Sequence, residues 1–291
     1  MKNILIGGSR GKTTISKFIF HCVNPKEAYI QEFTEQNKKV DILIISNICE
    51  KDDFKKLKNY VAKNLANNII INADDKNVNK LFMEDINSTL ITCGMNPKSS
   101  ITASSIVYEE GGYKFNYCVQ RSFFNLRGEL IEPMEIPVEI KMYGQYNIYN
   151  SLFVITVLLL LGYEIEDIKN AIKGFKNDGN FEILYDGNFK VMFHYARKQV
   201  DFINAFNALC DVSYENLYLL LRREDKEMLK SVLESNKDLL NIKEIIDIDE
   251  NNFYSYDRYI EDIGENGLFL AIGNFKEGFS KTFLNYIHNL S

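Results

Sequence analysis

The feature that most constrains this chain is a glycine-rich stretch, residues 7 to 14, that follows its first apolar run. Residues 3 to 6 have the branched, apolar character of a buried parallel strand, and residues 13 to 22 carry apolar side chains at helical spacing. The junction between such a strand and helix presents backbone N–H groups and the positive helix end to an anion. Lys12 can reach outer phosphates, and the hydroxyl of Thr13 can bind Mg²⁺. The stretch therefore predicts a phosphate-binding loop.

One position departs from the full phosphate-loop pattern. That pattern has a glycine where this chain has Ile6. The alternative interpretation is a tight turn between a strand and a helix that binds no ligand.

Length and charge restrict the class of protein. A chain of 291 residues is long enough for about two domains. The formal net charge of −6 argues against a protein that binds nucleic acid without sequence preference, because such a surface needs an excess of lysine and arginine. We therefore expect partners other than nucleic acid.

The cysteines and the apolar runs indicate the compartment. The five cysteines contain no C-x-x-C pair, so reduced thiols are expected rather than a disulfide framework or a zinc ribbon. The longest apolar run, residues 152 to 161, is too short to span a bilayer and predicts a buried helix. The chain begins almost at its first strand, which leaves no room for a signal sequence. These features predict a cytoplasmic protein with no membrane span.

The order of the predicted elements indicates an α/β fold. Short apolar strands alternate with helices as far as residue 75, which predicts a mostly parallel sheet. One of these helices is expected over about residues 52 to 67. Strands with a Gly111-Gly112 turn, between residues 90 and 143, predict a small antiparallel extension. After a linker at residues 177 to 180, a second α/β domain is expected.

Several motifs, in one order, resemble those of the Mur ligase family, which comprises ATP-dependent amide-bond ligases. Residues 8 to 14 resemble the family loop G-T-N-G-K-T-T, which itself often lacks the first glycine. Residues 46 to 48 resemble its T-N-L strand end, and residues 72 to 75 match its N-A-D-D element. Residues 144 to 150 resemble the segment that places asparagines beside adenine, and residues 179 to 182 resemble the linker G-R-x-E.

The resemblance implies a fold, two cofactors and a set of site residues. It implies a central ATP-binding domain with a phosphate-loop fold over residues 1–178 and a Rossmann-like C-terminal domain over residues 179–291, with the family's N-terminal substrate domain absent. The implied cofactors are ATP and Mg²⁺. The implied catalytic residues are Lys12, Glu32, Arg197 and Lys198, and the implied metal ligands are Thr13 and Glu32. The implied nucleotide-binding residues are Gly8, Ser9, Arg10, Gly11, Lys12, Thr13, Thr14, Asn72, Asn147 and Asn150.

Three elements depart from the family pattern. Lys51-Asp52 stands where the family has Asp-His after the T-N-L strand, and Asn180 replaces the linker arginine. The C-terminal D-Y-A-H-N-P becomes residues 194 to 199, H-Y-A-R-K-Q. Within the family, the stretch from Arg197 to Phe202 is distantly similar to the ligase-like subunit of lipid II isoglutaminyl synthase.

Two functions from different classes follow from these observations. The first is an ADP-forming carbon–nitrogen ligase of the kind used in cell-wall biogenesis, acting through an acyl phosphate on a small molecule or peptide with a carboxylate and an amine. The second is a catalytically reduced ATP-binding subunit of a ligase or amidotransferase complex, with a partner protein that supplies the missing substrate domain. A plain phosphate-loop kinase or ATPase would explain the loop but neither Asn147 nor Asn150.

Overall fold

The computed structural model describes residues 1–34, 38–82, 86–109, 111–248, 256–276 and 278–288. The chain divides into two compact units. The first comprises residues 1–141 and 145–175, and the second comprises residues 142–144 and 176–291. The assignment of a central domain to residues 1–178 and a C-terminal domain to residues 179–291 stays a prediction.

The first unit is built on one eight-stranded sheet. In spatial order its strands are β10 (Met134–Ile140), β7 (Gly112–Val119), β6 (Ile101–Glu109), β5 (Thr89–Cys93), β4 (Ala66–Asn72), β3 (Val40–Ile45), β1 (Lys2–Gly7) and β2 (Ala28–Glu32). Neighbouring strands from β2 to β6 are parallel, whereas β6, β7 and β10 are antiparallel. The predicted α/β class, with a mostly parallel sheet and an antiparallel extension, is confirmed. Residues 90 to 93, however, belong to the parallel part.

Helices cover this sheet, and one predicted boundary was wrong. They are α1 (Lys12–Cys22), α2 (Lys51–Ala62), α3 (Lys76–Asn79), α4 (Tyr146–Leu161) and α5 (Ile165–Gly174), and a short hairpin pairs β8 (Phe123–Phe124) with β9 (Leu130–Ile131). Helix α2 ends at Ala62 instead of near residue 67, because Asn64 takes a left-handed conformation with φ 51°. The residues after it join β4.

The apolar run predicted to be buried lies in α4. From Ile148 to Leu161 every residue except Tyr149 is buried, including the polar Ser151 and Thr156. A helix that is apolar on all sides packs inside a protein core. Among the described helices, not one has both the length and the apolar character needed to cross a membrane.

The second unit contains a five-stranded sheet with a buried aromatic core. In spatial order its strands are β11 (Asn180–Asp186), β12 (Lys190–Tyr195), β15 (Leu268–Gly273), β13 (Leu217–Leu221) and β14 (Ile242–Asp247). Only the pairing of β11 with β12 is antiparallel. The helices are α6 (Gln199–Leu209), α7 (Arg223–Met228), α8 (Lys230–Asn236), α9 (Asp257–Asp262) and α10 (Phe279–His288). The segments after β12, β13 and β15 therefore begin at the same edge of the sheet.

Candidate functional site

The glycine-rich stretch forms the turn between β1 and α1, at the carboxyl edge of the first sheet. Gly8 and Gly11 have φ values of 126° and 80°, which glycine adopts without strain. A Cβ atom on Gly8 would lie 2.4 Å from the Ser46 hydroxyl and 3.0 Å from the carbonyl oxygen of Asn47. Glycine at this position therefore lets the loop approach the end of β3.

Ser46 and Asn47 hold the loop from that neighbouring strand end. The buried hydroxyl of Ser46 donates to the carbonyl of Arg10 at 2.6 Å, and the N–H of Ser9 donates to the carbonyl of Asn47 at 2.6 Å. The ammonium group of Lys12 donates to the carbonyl of Gly8, inside the loop itself. These bonds give the loop a defined shape, with a cation folded across it.

Thr13 and Glu32 bring two oxygen groups together beside this loop. The Thr13 hydroxyl donates to a carboxylate oxygen of Glu32 at a distance of 3.0 Å, and Glu32 is the last residue of β2. Oxygen donors suit Mg²⁺, which protein sites usually hold through one or two side chains together with substrate phosphates. Thr13 and Glu32 therefore fit the predicted ion. Among the described residues, no group of three or more His, Cys, Asp or Glu side chains forms a metal cluster.

A carboxylate that the sequence analysis did not single out also contacts the loop. The Ser9 hydroxyl donates to a carboxylate oxygen of Asp53 at a distance of 2.7 Å. It accepts from the backbone N–H groups of Cys49 and Glu50. Asp53 lies in the first turn of α2. The one sequence signal for this contact is an acidic residue at the third position of a helix that is preceded by Glu50 instead of a serine or threonine.

The predicted nucleotide asparagines bond to other amides. The side-chain amide of Asn72, at the end of β4, donates to the side-chain oxygen of Asn47 at a distance of 3.1 Å. The side-chain amide of Asn150 donates to the side-chain oxygen of Asn147 at a distance of 2.9 Å. Asn147 and Asn150 are both buried, and the Asn150 oxygen lies 3.2 Å from where a Cβ atom on Gly11 would stand. Asn150 thus lies beside the glycine-rich loop, and contact of this pair with a base stays a prediction.

Arg197 and Lys198 belong to the second unit and follow β12. Their backbone N–H groups both donate to one carboxylate oxygen of Asp201, at 3.1 and 2.9 Å. The Arg197 guanidinium lies over the ring of Tyr195, 5.0 Å from its centroid. Asp201 therefore fixes the backbone at the start of α6, and the arginine head group is placed by an aromatic neighbour.

His194 is buried at the carboxyl end of β12. It is 6% exposed, its Nδ1 atom has no hydrogen-bond partner, and its ring lies 4.4 Å from that of Phe181. Burial lowers the pKa of His194 to about 4, and the negative charge of Asp201 opposes this effect only in part. The imidazole is therefore neutral near pH 7.

An ion pair occupies the same sheet edge at the end of β13. Arg222 donates to both carboxylate oxygens of Asp225, at 2.9 and 3.2 Å, and Asp225 is 5% exposed. A Cβ atom on Gly273, the last residue of β15, would lie 2.9 Å from that carboxylate. The pairing with Asp225 therefore fixes the Arg222 guanidinium against the sheet.

Known proteins are similar in sequence to part of this chain. Residues 40–158 match the family model described as the Mur ligase middle domain. A UDP-N-acetylmuramate–L-alanine ligase of Persephonella marina is 33% identical over 129 residues, which cover 44% of this chain and 25% of that protein. The chain spans about a fifth to a third of the length of the curated relatives it matches. These matches confirm the resemblance indicated by the motifs.

Solved structures share the fold over the whole chain. The UDP-N-acetylmuramate-alanine ligase of Thermotoga maritima superimposes with a TM-score of 0.69 at 17% identity, covering 100% of this chain and 76% of its own. The MurF ligase of Thermotoga maritima, solved in complex with ADP, gives a TM-score of 0.70 at 11% identity, with coverage of 100% and 81%. At such identities the likeness establishes the fold alone. The similarity to lipid II isoglutaminyl synthase stays a prediction.

Proposed function

From the premise that this chain contains a Mur ligase middle domain, we propose that it is an ATP-dependent ligase that joins an acid to an amine through an acyl phosphate. The observation that carries this proposal is the loop between β1 and α1. It combines two glycines of positive φ, an ammonium group folded across the loop and a hydroxyl paired with Glu32. A turn without a ligand would need none of these polar groups.

The proposed reaction has two steps. A carboxylate oxygen of the first substrate attacks the γ-phosphorus of ATP, and the bond from that phosphorus to the β,γ-bridging oxygen breaks to release ADP. The nitrogen of the amine then attacks the acyl carbon, the carbon–oxygen bond to phosphate breaks, and the amine proton passes to solvent. Electrostatic stabilisation of the developing negative charge is the main contribution that a protein makes to such transfers.

The chain's own residues supply that stabilisation in our proposal. The ammonium group of Lys12 would exchange its hydrogen bond to the Gly8 carbonyl for hydrogen bonds to the outer phosphates. Thr13 and Glu32 would hold Mg²⁺, which neutralises phosphate charge when bound. Arg197 and Lys198 would place positive charge beside the transferred phosphoryl group.

The substrates and surroundings are also proposals. We propose a small molecule or peptide bearing a carboxylate and an amine as the substrate, and the cytoplasm as the compartment, since ATP is the energy source. The relative from Persephonella marina is a UDP-N-acetylmuramate–L-alanine ligase, which is consistent with a substrate of the cell-wall precursor class. A protein partner that supplies further substrate contacts fits the same proposal.

One observation favours a second candidate, a catalytically reduced ATP-binding subunit. At the C-terminal motif, the family's aspartate position is taken by His194, whose burial lowers its pKa to about 4. A neutral imidazole that is 6% exposed does not supply the negative charge of a carboxylate. Such a subunit would bind ATP and act through a partner protein.

Product analysis distinguishes the two candidates. The purified protein is incubated with ATP, Mg²⁺ and pools of amino acids, short peptides and cell-wall precursors, and release of ADP and phosphate is followed. The ligase proposal predicts ADP release that requires both an acid and an amine, together with a product that has lost one water relative to the two. ATP binding without such turnover would support the subunit.

A further inference from the structure

The hydroxyl of Ser9 lies at the meeting point of the phosphate loop and helix α2. It donates to a carboxylate oxygen of Asp53 at 2.7 Å and accepts from the N–H groups of Cys49 at 3.0 Å and Glu50 at 3.2 Å. The backbone N–H of Ser9 is also used, since it donates to the Asn47 carbonyl at 2.6 Å. The hydroxyl and the backbone N–H of Ser9 therefore both form hydrogen bonds within the protein.

These bonds act at a helix start that has no side-chain cap of its own. Glu50 occupies the position before the helix, and its side chain forms no capping hydrogen bond. In a capping box, the side chain of the third helical residue accepts directly from the backbone N–H of the residue before the helix. Here the Ser9 hydroxyl stands between those two groups, because it accepts from the Glu50 N–H and donates to Asp53, 44 residues away in the chain. The shape of the loop and the start of the helix are thereby coupled.

In the same neighbourhood, the segment after β3 is bonded to residues at and after the end of β4. The side-chain oxygen of Asn47 accepts from the Asn72 amide at 3.1 Å, and the N–H of Ile48 donates to Asp75 at 2.9 Å. The loop is thus bonded to a segment that is itself bonded to the end of β4. Of the two carboxylates Asp53 and Asp75, Asp53 is the one that receives its hydrogen bond from the loop.

We propose that Asp53 is a positioning residue for the phosphate loop: through Ser9, it holds the loop in the shape that receives the ATP phosphates. This inference rests on the proposed ATP-binding function, and it assigns Ser9 to the shape of the loop instead of to direct phosphate contact. Asp53 acts as a hydrogen-bond acceptor. Its negative charge is not needed for this role and opposes the approach of a polyphosphate.

The proposal separates acceptor from charge. Asp53→Asn keeps an oxygen acceptor for the Ser9 hydroxyl and removes the charge, so MgATP affinity stays within about twofold of the original protein or increases. Asp53→Ala removes the acceptor and weakens MgATP binding about tenfold, the scale of a hydrogen bond to a charged group. Ser9→Ala has a similar effect, and the double variant is no weaker than either single one, because both substitutions remove the same bond.

The experiment is calorimetric titration of the full chain with MgATP, with each variant's unfolding temperature measured without nucleotide. Asp167→Ala is the matched control, since Asp167 occupies the third position of α5 behind Glu164, just as Asp53 follows Glu50 in α2. The control should bind MgATP as the original chain does. The rescue by asparagine is the result that a general loss of folding would not give, and Ser9→Ala tests the same bond if Asp53→Ala does not fold.

Lys12→Ala distinguishes a failure of the positioning role of Asp53 from a failure of the proposed ATP-binding function. If Lys12→Ala loses MgATP affinity while Asp53→Ala and Ser9→Ala both bind within twofold of the original chain, Asp53 has no positioning role and the ATP site stands. Equal weakening in Asp53→Asn and Asp53→Ala would also overturn the inference, because the charge would then be the active feature. If Lys12→Ala binds MgATP unchanged, the proposed function itself is wrong.

Discussion

The edge of the first unit that carries the phosphate loop and the edge of the second unit that carries Arg197 differ in how their polar groups are satisfied. At the loop, the side chains of Ser9, Ser46 and Thr13 each have a named partner within 3.2 Å. At the second edge, the Nδ1 atom of His194 is buried with no hydrogen-bond partner. The polar groups at the first edge are therefore bonded within the protein, whereas a polar atom at the second edge is buried without a partner.

Under the proposed function, this difference means that binding and turnover rest on separate parts of the chain. The loop, with Lys12 and the Thr13–Glu32 pair, would account for affinity for a metal-bound triphosphate. Arg197 and Lys198 would act on the transferred group, where only stabilisation specific to the transition state increases the rate. Substitutions in the two regions should therefore change different measured quantities.

The largest expected effect is on turnover in the second unit. If the chain is a working ligase, Arg197→Ala and Lys198→Ala each lower the rate of ADP formation about 10²-fold, the usual scale for loss of one electrostatic stabiliser. Affinity for ATP should change much less. Steady-state rates and calorimetric affinities, measured on the same preparations, test the separation.

Arg223→Ala is the control for this pair, because Arg223 is an exposed arginine just after another strand of the same sheet. Its rate should match that of the original protein. Small, equal losses of affinity from Arg197→Ala and Lys198→Ala, with no change in rate, would contradict a catalytic role for these two residues. Absence of turnover in the original protein would favour the binding subunit.

Much of the fold could be predicted from local patterns. Alternating strands and helices gave the parallel sheet, and the apolar run 152 to 161 gave the buried helix α4. The end of α2 could not be predicted, because it depends on Asn64 in a left-handed conformation, which asparagine tolerates but does not require. The pairing of residues 90 to 93 with β4 was also missed, since a short strand does not reveal the direction of its neighbour.

A second expected effect is a pH dependence of stability that originates at His194. Burial lowers its pKa to about 4 in the folded chain, against an ordinary value of 6.5, so the unfolded chain binds this proton at the higher pH. Stability therefore falls as the pH drops from about 6.5 toward 4, by about 2 kcal/mol between pH 7 and pH 5 for this group.

Denaturant unfolding at pH 7 and pH 5 measures this contribution. His194→Gln should lose less stability over the interval than the original chain does, because glutamine does not titrate. His21→Gln, at an exposed histidine on α1, serves as the control. An identical loss in the original chain and in His194→Gln would show that the imidazole is hydrated or paired, and the two edges would then differ less than we describe.

The sequence predicted the position of the candidate site more completely than the residues that support it. The sequence located the loop, since glycines, a lysine and hydroxyls occur together at one strand-to-helix junction. It did not single out the supporting contacts of Ser46 and Asp53, because they bring residues 36 and 44 positions apart into hydrogen-bond range. Such contacts depend on which strands are neighbours, which no local pattern contains.

The smallest expected effect concerns base recognition in the first unit. Replacing Asn147 and Asn150 together by alanine should reduce the ratio of ATP to GTP affinity about tenfold, if one of their amides turns to the adenine edge when nucleotide binds. Competition binding with both nucleotides gives this ratio. An unchanged ratio, with lower stability, would mean that the bond between the two asparagines is structural only.

Direct measurement of ATP binding tests the central claim, that the loop between β1 and α1 is the nucleotide site. The original chain, Lys12→Ala and the control Lys26→Ala, at an exposed turn lysine, are titrated with MgATP by calorimetry. We predict that the original chain and Lys26→Ala bind alike, and that folded Lys12→Ala binds about 10²-fold more weakly, the scale for loss of a charged hydrogen bond. Unchanged affinity in a folded Lys12→Ala protein would contradict the account.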